Sequence, residues 1–228
     1  MRDYEALQEA LGYRFRNLDL LKTALTHPSF SAEHPGTKHY QRLEFLGDAV
    51  LELCVSENIY KEYPELNEGV MTRVRSLSVC EGALHKSAVG FGLGNYLLLS
   101  HGEEHSGGRS KPSILADAME AVIGAVFLDG GMGEAKRLVL HAVESHIERA
   151  VRNVNTKDYK TLLQEYVQKQ HQGNVTYSLI EASGPDHQRV FTLQAVIAGE
   201  PKGIGSGGSK QEAGQKAAKA TLEGLGLL

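Results

Sequence analysis

The sequence predicts a mostly α protein in two parts, an all-helical N-terminal domain followed by a small α-β-β-β-α domain. Three observations carry this. Apolar residues recur at three- and four-residue spacing through the first two thirds of the chain. After Arg152-Asn153-Val154-Asn155-Thr156 the period changes, and β-branched and aromatic runs alternate with Gly/Pro turns. The length of 228 residues suits one large domain or two small ones.

Taken in order, helical spacing covers residues 4–11 and 18–25, and a polar loop covers 31–39. A long helix is predicted over 42–60, stopped by Pro64, with further helices over 68–80 and 81–89. Residues 101–112 are rich in Gly, Ser and charge and read as a loop. Ser113 is placed to cap an apolar helix reaching Leu128, which Asp129-Gly130-Gly131 ends. One more helix, over 134–151, completes the first part. The second part reads as an amphipathic helix over 158–170, then strands over 175–181 and 188–198 around Ser183-Gly184-Pro185-Asp186. A short third strand near 202–205 and an Ala-rich helix over 209–225 follow.

Hydrophobic residues make up 41% of the chain and charged residues 23%, which excludes a disordered chain, a collagen-like repeat and a small stapled scaffold. With 24 Lys+Arg against 28 Asp+Glu, the net charge of −4 speaks at face value against bulk attraction to nucleic acid or an anionic membrane. The acidity is uneven. Residues 157–228 carry 8 basic against 7 acidic residues, and the rest 16 against 21. Cys54 and Cys80 cannot make a disulfide framework, so two buried thiols in a reducing compartment are expected. No signal peptide and no run near the ~20 apolar residues of a membrane span is found, and a soluble, cytoplasmic protein without membrane contact is expected.

Acids interrupt two apolar helices. Over 113–128, apolar residues point in every direction around the axis, and apart from Gly124 only Asp117 and Glu120 break them. Their i, i+3 spacing puts both on one face of a helix that must be buried. Burying two like charges side by side costs several kcal/mol each unless something neutralises them, and a bound cation does so. In the helix over 42–60, Glu44 and Asp48 share a face at i, i+4, a strip that by itself reads more readily as solvated, though two acidic pairs on two apolar helices are harder to dismiss. Facing each other, the two pairs would form an all-oxygen site suited to Mg²⁺ or Mn²⁺, the kind that runs phosphodiester hydrolysis.

Tyr40-Gln41-Arg42-Leu43-Glu44-Phe45-Leu46-Gly47-Asp48-Ala49-Val50-Leu51 closely resembles the signature of the ribonuclease III family. So do His27-Pro28-Ser29, Asn67-Glu68-Gly69 and Ser113-Ile114-Leu115-Ala116-Asp117-Ala118-Met119-Glu120-Ala121. The resemblance implies a ribonuclease III catalytic domain over 1–152, a linker over 153–157 and a double-stranded-RNA-binding domain over 158–228. It implies that Asp48 and Glu120 are catalytic and that Glu44, Asp48, Asp117 and Glu120 make up the metal site, with Mg²⁺ as cofactor and Mn²⁺ as substitute. Glu68 falls where the family meets a second metal or RNA phosphates. Gln41 departs from the Glu common among relatives and leaves the four central acids intact. The family is homodimeric, and Phe45 matches an interface aromatic, although the sequence alone equally admits a core Phe. Products of the family carry 5′-phosphates, 3′-hydroxyls and a short 3′ overhang, and its members process rRNA and other structured transcripts.

The tail resembles a double-stranded-RNA-binding domain, most strongly over Gly207-Gly208-Ser209-Lys210-Gln211-Glu212-Ala213-Gly214-Gln215-Lys216-Ala217-Ala218. Ala213, Ala217 and Ala220 offer a small face for packing on the sheet. Ser209, the free N–H groups of the helix start, Lys210 and Lys216 offer donors and positive charge to phosphates. The resemblance places Gln164, Glu165 and His187 at the minor groove of duplex RNA, which such domains read by shape.

Two other motifs fail their context. Gly203-Ile204-Gly205-Ser206-Gly207-Gly208 fits G-x-G-x-x-G, but no βαβ unit follows, so no nucleotide cofactor is expected. His101-Gly102-Glu103-Glu104-His105 fits H-x-x-E-H, but Gly102 and Ser106-Gly107-Gly108 argue against the helix it needs. The alternative from another class is a catalytically silent double-stranded-RNA-binding assembly protein on this fold. Such a relative would have no reason to retain Glu44, Asp48, Asp117 and Glu120 together.

Overall fold

The apolar helix of the first part runs Pro112–Gly130 and forms the buried axis of a helical unit. The computed structural model describes residues 4–154, 159–170, 173–185 and 189–228, and the chain divides into two units between residues 154 and 155. In the first unit the described helices are α1 (Glu5–Leu11), α2 (Leu18–Ala24), α3 (Pro28–Glu33), α4 (Gln41–Glu62), α5 (Glu68–Val79), α6 (Glu81–Gly90), α7 (His101–His105), α8 (Pro112–Gly130) and α9 (Met132–Val154). α4 packs most extensively on α8, with α2, α6 and α9 also against it. α9 buries Ala135, Leu138, Val139, Ala142, Val143 and Ile147, the one-sided stripe of a helix at the surface of a core.

Four expectations are corrected. Of the two thiols expected to be buried, Cys54 is, but Cys80, between α5 and α6, is exposed. Part of the polar loop over 31–39 is helical, because α3 begins at Pro28 with the His27 ring nitrogen accepting from the Ser29 amide at 3.1 Å. The predicted loop over 101–112 contains α7 and a 3₁₀ turn over Gly108–Ser110. Ser100 caps α7 by accepting from the Glu103 amide at 3.1 Å, and Lys111–Glu103 and Arg109–Glu104 ion pairs hold the segment closed. Cap and ion pairs outweigh the glycine cost of roughly 1 kcal/mol. α8 starts one residue before the expected Ser113 cap, with Pro112 in its first turn, where a missing N–H is harmless.

The second unit comprises α10 (Tyr159–Lys169), β1 (Val175–Ser183), β2 (Val190–Ile197), β3 (Glu200–Gly207) and α11 (Lys210–Gly224). The strands form an antiparallel sheet in the order β1-β2-β3. Leu163 and Val167 of α10, Ala195 and Ile197 of β2, and Ala217, Ala218 and Leu222 of α11 make its core. The G-x-G pattern of β3 has a packing explanation. A Cβ on Gly205 would lie 2.5 Å from the Lys216 carbonyl carbon, and one on Gly203 would lie 2.8 Å from the Ala217 carbonyl oxygen. Glycine there lets the strand lie directly on the backbone of α11.

Candidate active site

The two acidic pairs meet because two helices touch backbone to backbone. On α4, Gly47 lies between Glu44 and Asp48; on α8, Gly124 follows Glu120 by one turn. A Cβ on Gly47 would overlap the Glu120 carbonyl oxygen and lie 2.9 Å from the Gly124 amide nitrogen. One on Gly124 would overlap the Leu43 carbonyl oxygen and lie 3.1 Å from the Gly47 amide nitrogen. Sequence reasoning passed over this crossing, although a lone Gly in each of two apolar helices was its signal.

The carboxylates are coupled by that approach. Burial, then Asp48, Glu44 and Asp117, push the Glu120 carboxyl up to about 8. Burial, then Asp117 and Asp48, raise Glu44. Burial also raises Asp117, helped by Glu81 and opposed by a hydrogen bond from Tyr40 and by His27. Asp48 is exposed at the edge of the group. Tyr40 carries no role that the sequence pattern alone assigns. It is 2% exposed, and its hydroxyl donates to Asp117 Oδ2 at 3.2 Å. Burial and then Asp117 hold that phenol well above its ordinary pKa, so it stays a donor.

The donor set fits a hard divalent cation: all oxygen, with three members driven toward the neutral form by burial and by one another. Among the described residues no three His, Cys, Asp or Glu side chains are gathered tightly enough to hold an ion as they stand. The four acids therefore interact through their field rather than as a closed cage.

Glu68 stands apart. It opens α5 beside the cap Asn67, accepts from the Thr72 hydroxyl at 3.3 Å, and lines a surface groove with Leu53, Ser56, Tyr60, Met71 and Arg75. It is not among the groups whose charge acts on Glu44, Asp117 or Glu120. Gln41, the first residue of α4, is exposed. Phe45 is 82% exposed on α4, so an ordinary core role is excluded in this chain. His101 and His105 do share one turn of helix, but the His105 ring nitrogen is tied to the His101 carbonyl at 2.8 Å.

In the second unit, Ser209 caps α11 by accepting from the Glu212 amide at 3.1 Å, and the Glu212 carboxylate accepts from the Gly208 amide at 3.0 Å. This is the reciprocal pattern of a capping box shifted by one residue. Lys210 is exposed near the Phe191 ring, and Lys216 pairs with Glu212 at 2.8 Å. Gln164 is committed inside the unit, donating to Asn174 Oδ1 at 3.1 Å and accepting from the Val175 amide at 3.0 Å. Glu165 is exposed beside it, and His187 lies outside the described residues.

Comparison with known proteins agrees with both halves. Residues 17–147 match the family model described as Ribonuclease-III-like, and residues 159–225 match the double-stranded RNA binding motif. The chain is 48% identical to Ribonuclease 3 of Desulforamulus reducens, over 96% of this chain and 92% of the relative. It is 44% identical to Ribonuclease 3 of Clostridium acetobutylicum, over 97% and 96%. Among solved structures, the nuclease domain of the Campylobacter jejuni ribonuclease III, described for flexibility in a region involved in dimer formation, superposes with a TM-score of 0.59. That match is 41% identical and covers 63% of this chain and 98% of that one.

Proposed function

The chain belongs to the ribonuclease III family of endoribonucleases acting on double-stranded RNA, and we propose that it works with Mg²⁺ and leaves 5′-phosphate and 3′-hydroxyl ends with a short 3′ overhang. The observation that carries this reading is the Gly47–Gly124 crossing, which sets Glu44 and Asp48 against Asp117 and Glu120 and pushes Glu120 to about 8.

Glu44, Asp117 and Glu120 would hold the cation, with Asp48 completing the set at its exposed edge. The chemistry a divalent cation supplies when bound is activation of water and neutralisation of charge on the phosphate. Glu120, with its carboxyl raised to about 8, favours its protonated form at neutral pH in the metal-free protein, and Asp48 faces solvent. Glu68, exposed at the start of α5, is the candidate for a second cation or a phosphate. Ser209, Lys210, Lys216 and the start of α11 are the candidates for phosphate contact, with Glu165 and His187 toward the minor groove. Gln164 joins them only if its bonds to Asn174 and Val175 open.

The exposed Phe45 supports a homodimer, since aromatic residues are enriched at interfaces relative to the rest of a protein surface. Among the described residues no helix is long and apolar enough to cross a membrane. Cytoplasmic processing of rRNA and other structured transcripts is the setting we assign. The test uses a long RNA duplex with Mg²⁺, comparing wild type with Glu120→Gln. A loss of about 10²-fold or more in initial rate is expected, while duplex binding measured with a chelator is retained. Inert wild type, or equal cutting by both proteins, overturns the reading.

A further inference from the structure

We propose that Tyr40 is a positioning residue for the metal-holding carboxylates, fixing Asp117 through its hydroxyl so that one carboxylate oxygen is occupied and the other is presented to the cation. This rests on the reading of Asp117 as a ligand. Tyr40 is tied down on every side. Its amide donates to the Thr26 carbonyl at 2.9 Å, and its ring meets the His27 ring edge-on at 5.7 Å and 68°. Its carbonyl accepts from the amides of Leu43 and Glu44 at 2.8 and 2.9 Å, so the same residue starts α4, the helix that carries Glu44 and Asp48. Its hydroxyl crosses to Asp117 on α8.

One residue thus links the two acidic pairs, its backbone starting the helix of Glu44 and Asp48 and its hydroxyl reaching Asp117. A phenol buried this deeply needs an acceptor, and Asp117 is the one the described residues provide. Groups that hydrogen-bond a ligand from behind commonly control metal affinity by 10–100-fold when removed. The bond here is longer than the ~2.7 Å usual for a hydroxyl donor, so the lower end of that range is expected.

Tyr40→Phe keeps the ring and removes only the hydroxyl. Titrating Mn²⁺ into the full-length protein by calorimetry, without RNA, should show Kd rising about 10-fold while the metal-free Tm stays close to wild type. On an Asp117→Glu background, which moves the carboxylate one methylene from the hydroxyl, Tyr40→Phe should cost nothing more. Wild type that takes up no Mn²⁺ removes the metal reading itself. Wild type that binds, with Tyr40→Phe binding equally well, overturns the role of Tyr40 alone. A further equal loss on the Asp117→Glu background also overturns it, since Tyr40 would then act on another group.

Discussion

The amide nitrogen of Gly124 lies 2.9 Å from where a Cβ on Gly47 would stand, so helices α4 and α8 meet with no side chain between them. This crossing brings acids 44 and 48 to acids 117 and 120.

Gly47→Ala should therefore be costly. The new methyl meets backbone, not a flexible side-chain end, and α8 is buried on all sides. A loss of about 3 kcal/mol is expected, seen as a fall of roughly 6–12 °C in the melting of the helical unit. Gly82→Ala on α6, where a Cβ meets nothing within 4 Å, should leave Tm unchanged or raise it slightly. Calorimetry on the two variants decides, and equal Tm values would show that the crossing is loose.

The pH dependence has a definite sign. Glu120 sits at about 8 in the folded chain against an ordinary 4.5, so folding favours its neutral form. That contribution is complete below about pH 4.5 and is lost as pH rises through 8. Glu44 and Asp117 shift in the same direction. In the presence of a chelator, Tm should fall from about pH 5 to pH 8.5, and Glu120→Gln, neutral throughout, should flatten the fall. Parallel curves for the two proteins would count against a raised Glu120.

Removing Lys210 and Lys216 together should weaken duplex binding and reduce the salt slope by about 2, one for each phosphate contact. Lys216 must leave Glu212 to reach RNA, so Glu212→Gln should tighten binding a few-fold at low salt. Filter binding over a salt series reads both effects, and an unchanged slope for the double variant would remove the lysines from the interface.

Phe45→Ala should convert a dimer to a monomer at low micromolar concentration. Truncating a central aromatic anchor commonly costs about 2 kcal/mol or more, roughly 30-fold in dissociation constant. Light scattering should give twice the 24.8 kDa chain mass for wild type and the single mass for the variant. A monomeric wild type would end the dimer proposal.

Much of the site was legible in the sequence because helical spacing is local information. Asp117 and Glu120 at i, i+3 inside an all-apolar helix, and Glu44 and Asp48 at i, i+4, already define two faces. The segment over 101–112 reads as a loop because its glycines mask the Ser100 cap and the Lys111–Glu103 pair that hold α7 together. The Gly203-Ile204-Gly205 pattern, which fails the context of a dinucleotide fingerprint, serves strand-on-helix contact, which periodicity does not reveal.

By itself, the sequence determined the two-part architecture and the helix that must be buried, and it singled out the four acids proposed for the site. Only the tertiary structure decided that Gly47 and Gly124 face each other, that Tyr40 reaches Asp117, and that Glu120 is the acid pushed furthest from its ordinary range. The reason is physical. Periodicity depends on neighbours within a turn or two, whereas backbone approach and the field at a carboxylate depend on which distant segments pack together. The mild acidity of the chain belongs to the helical unit and its coupled carboxylates, while the small domain that meets the RNA is close to neutral.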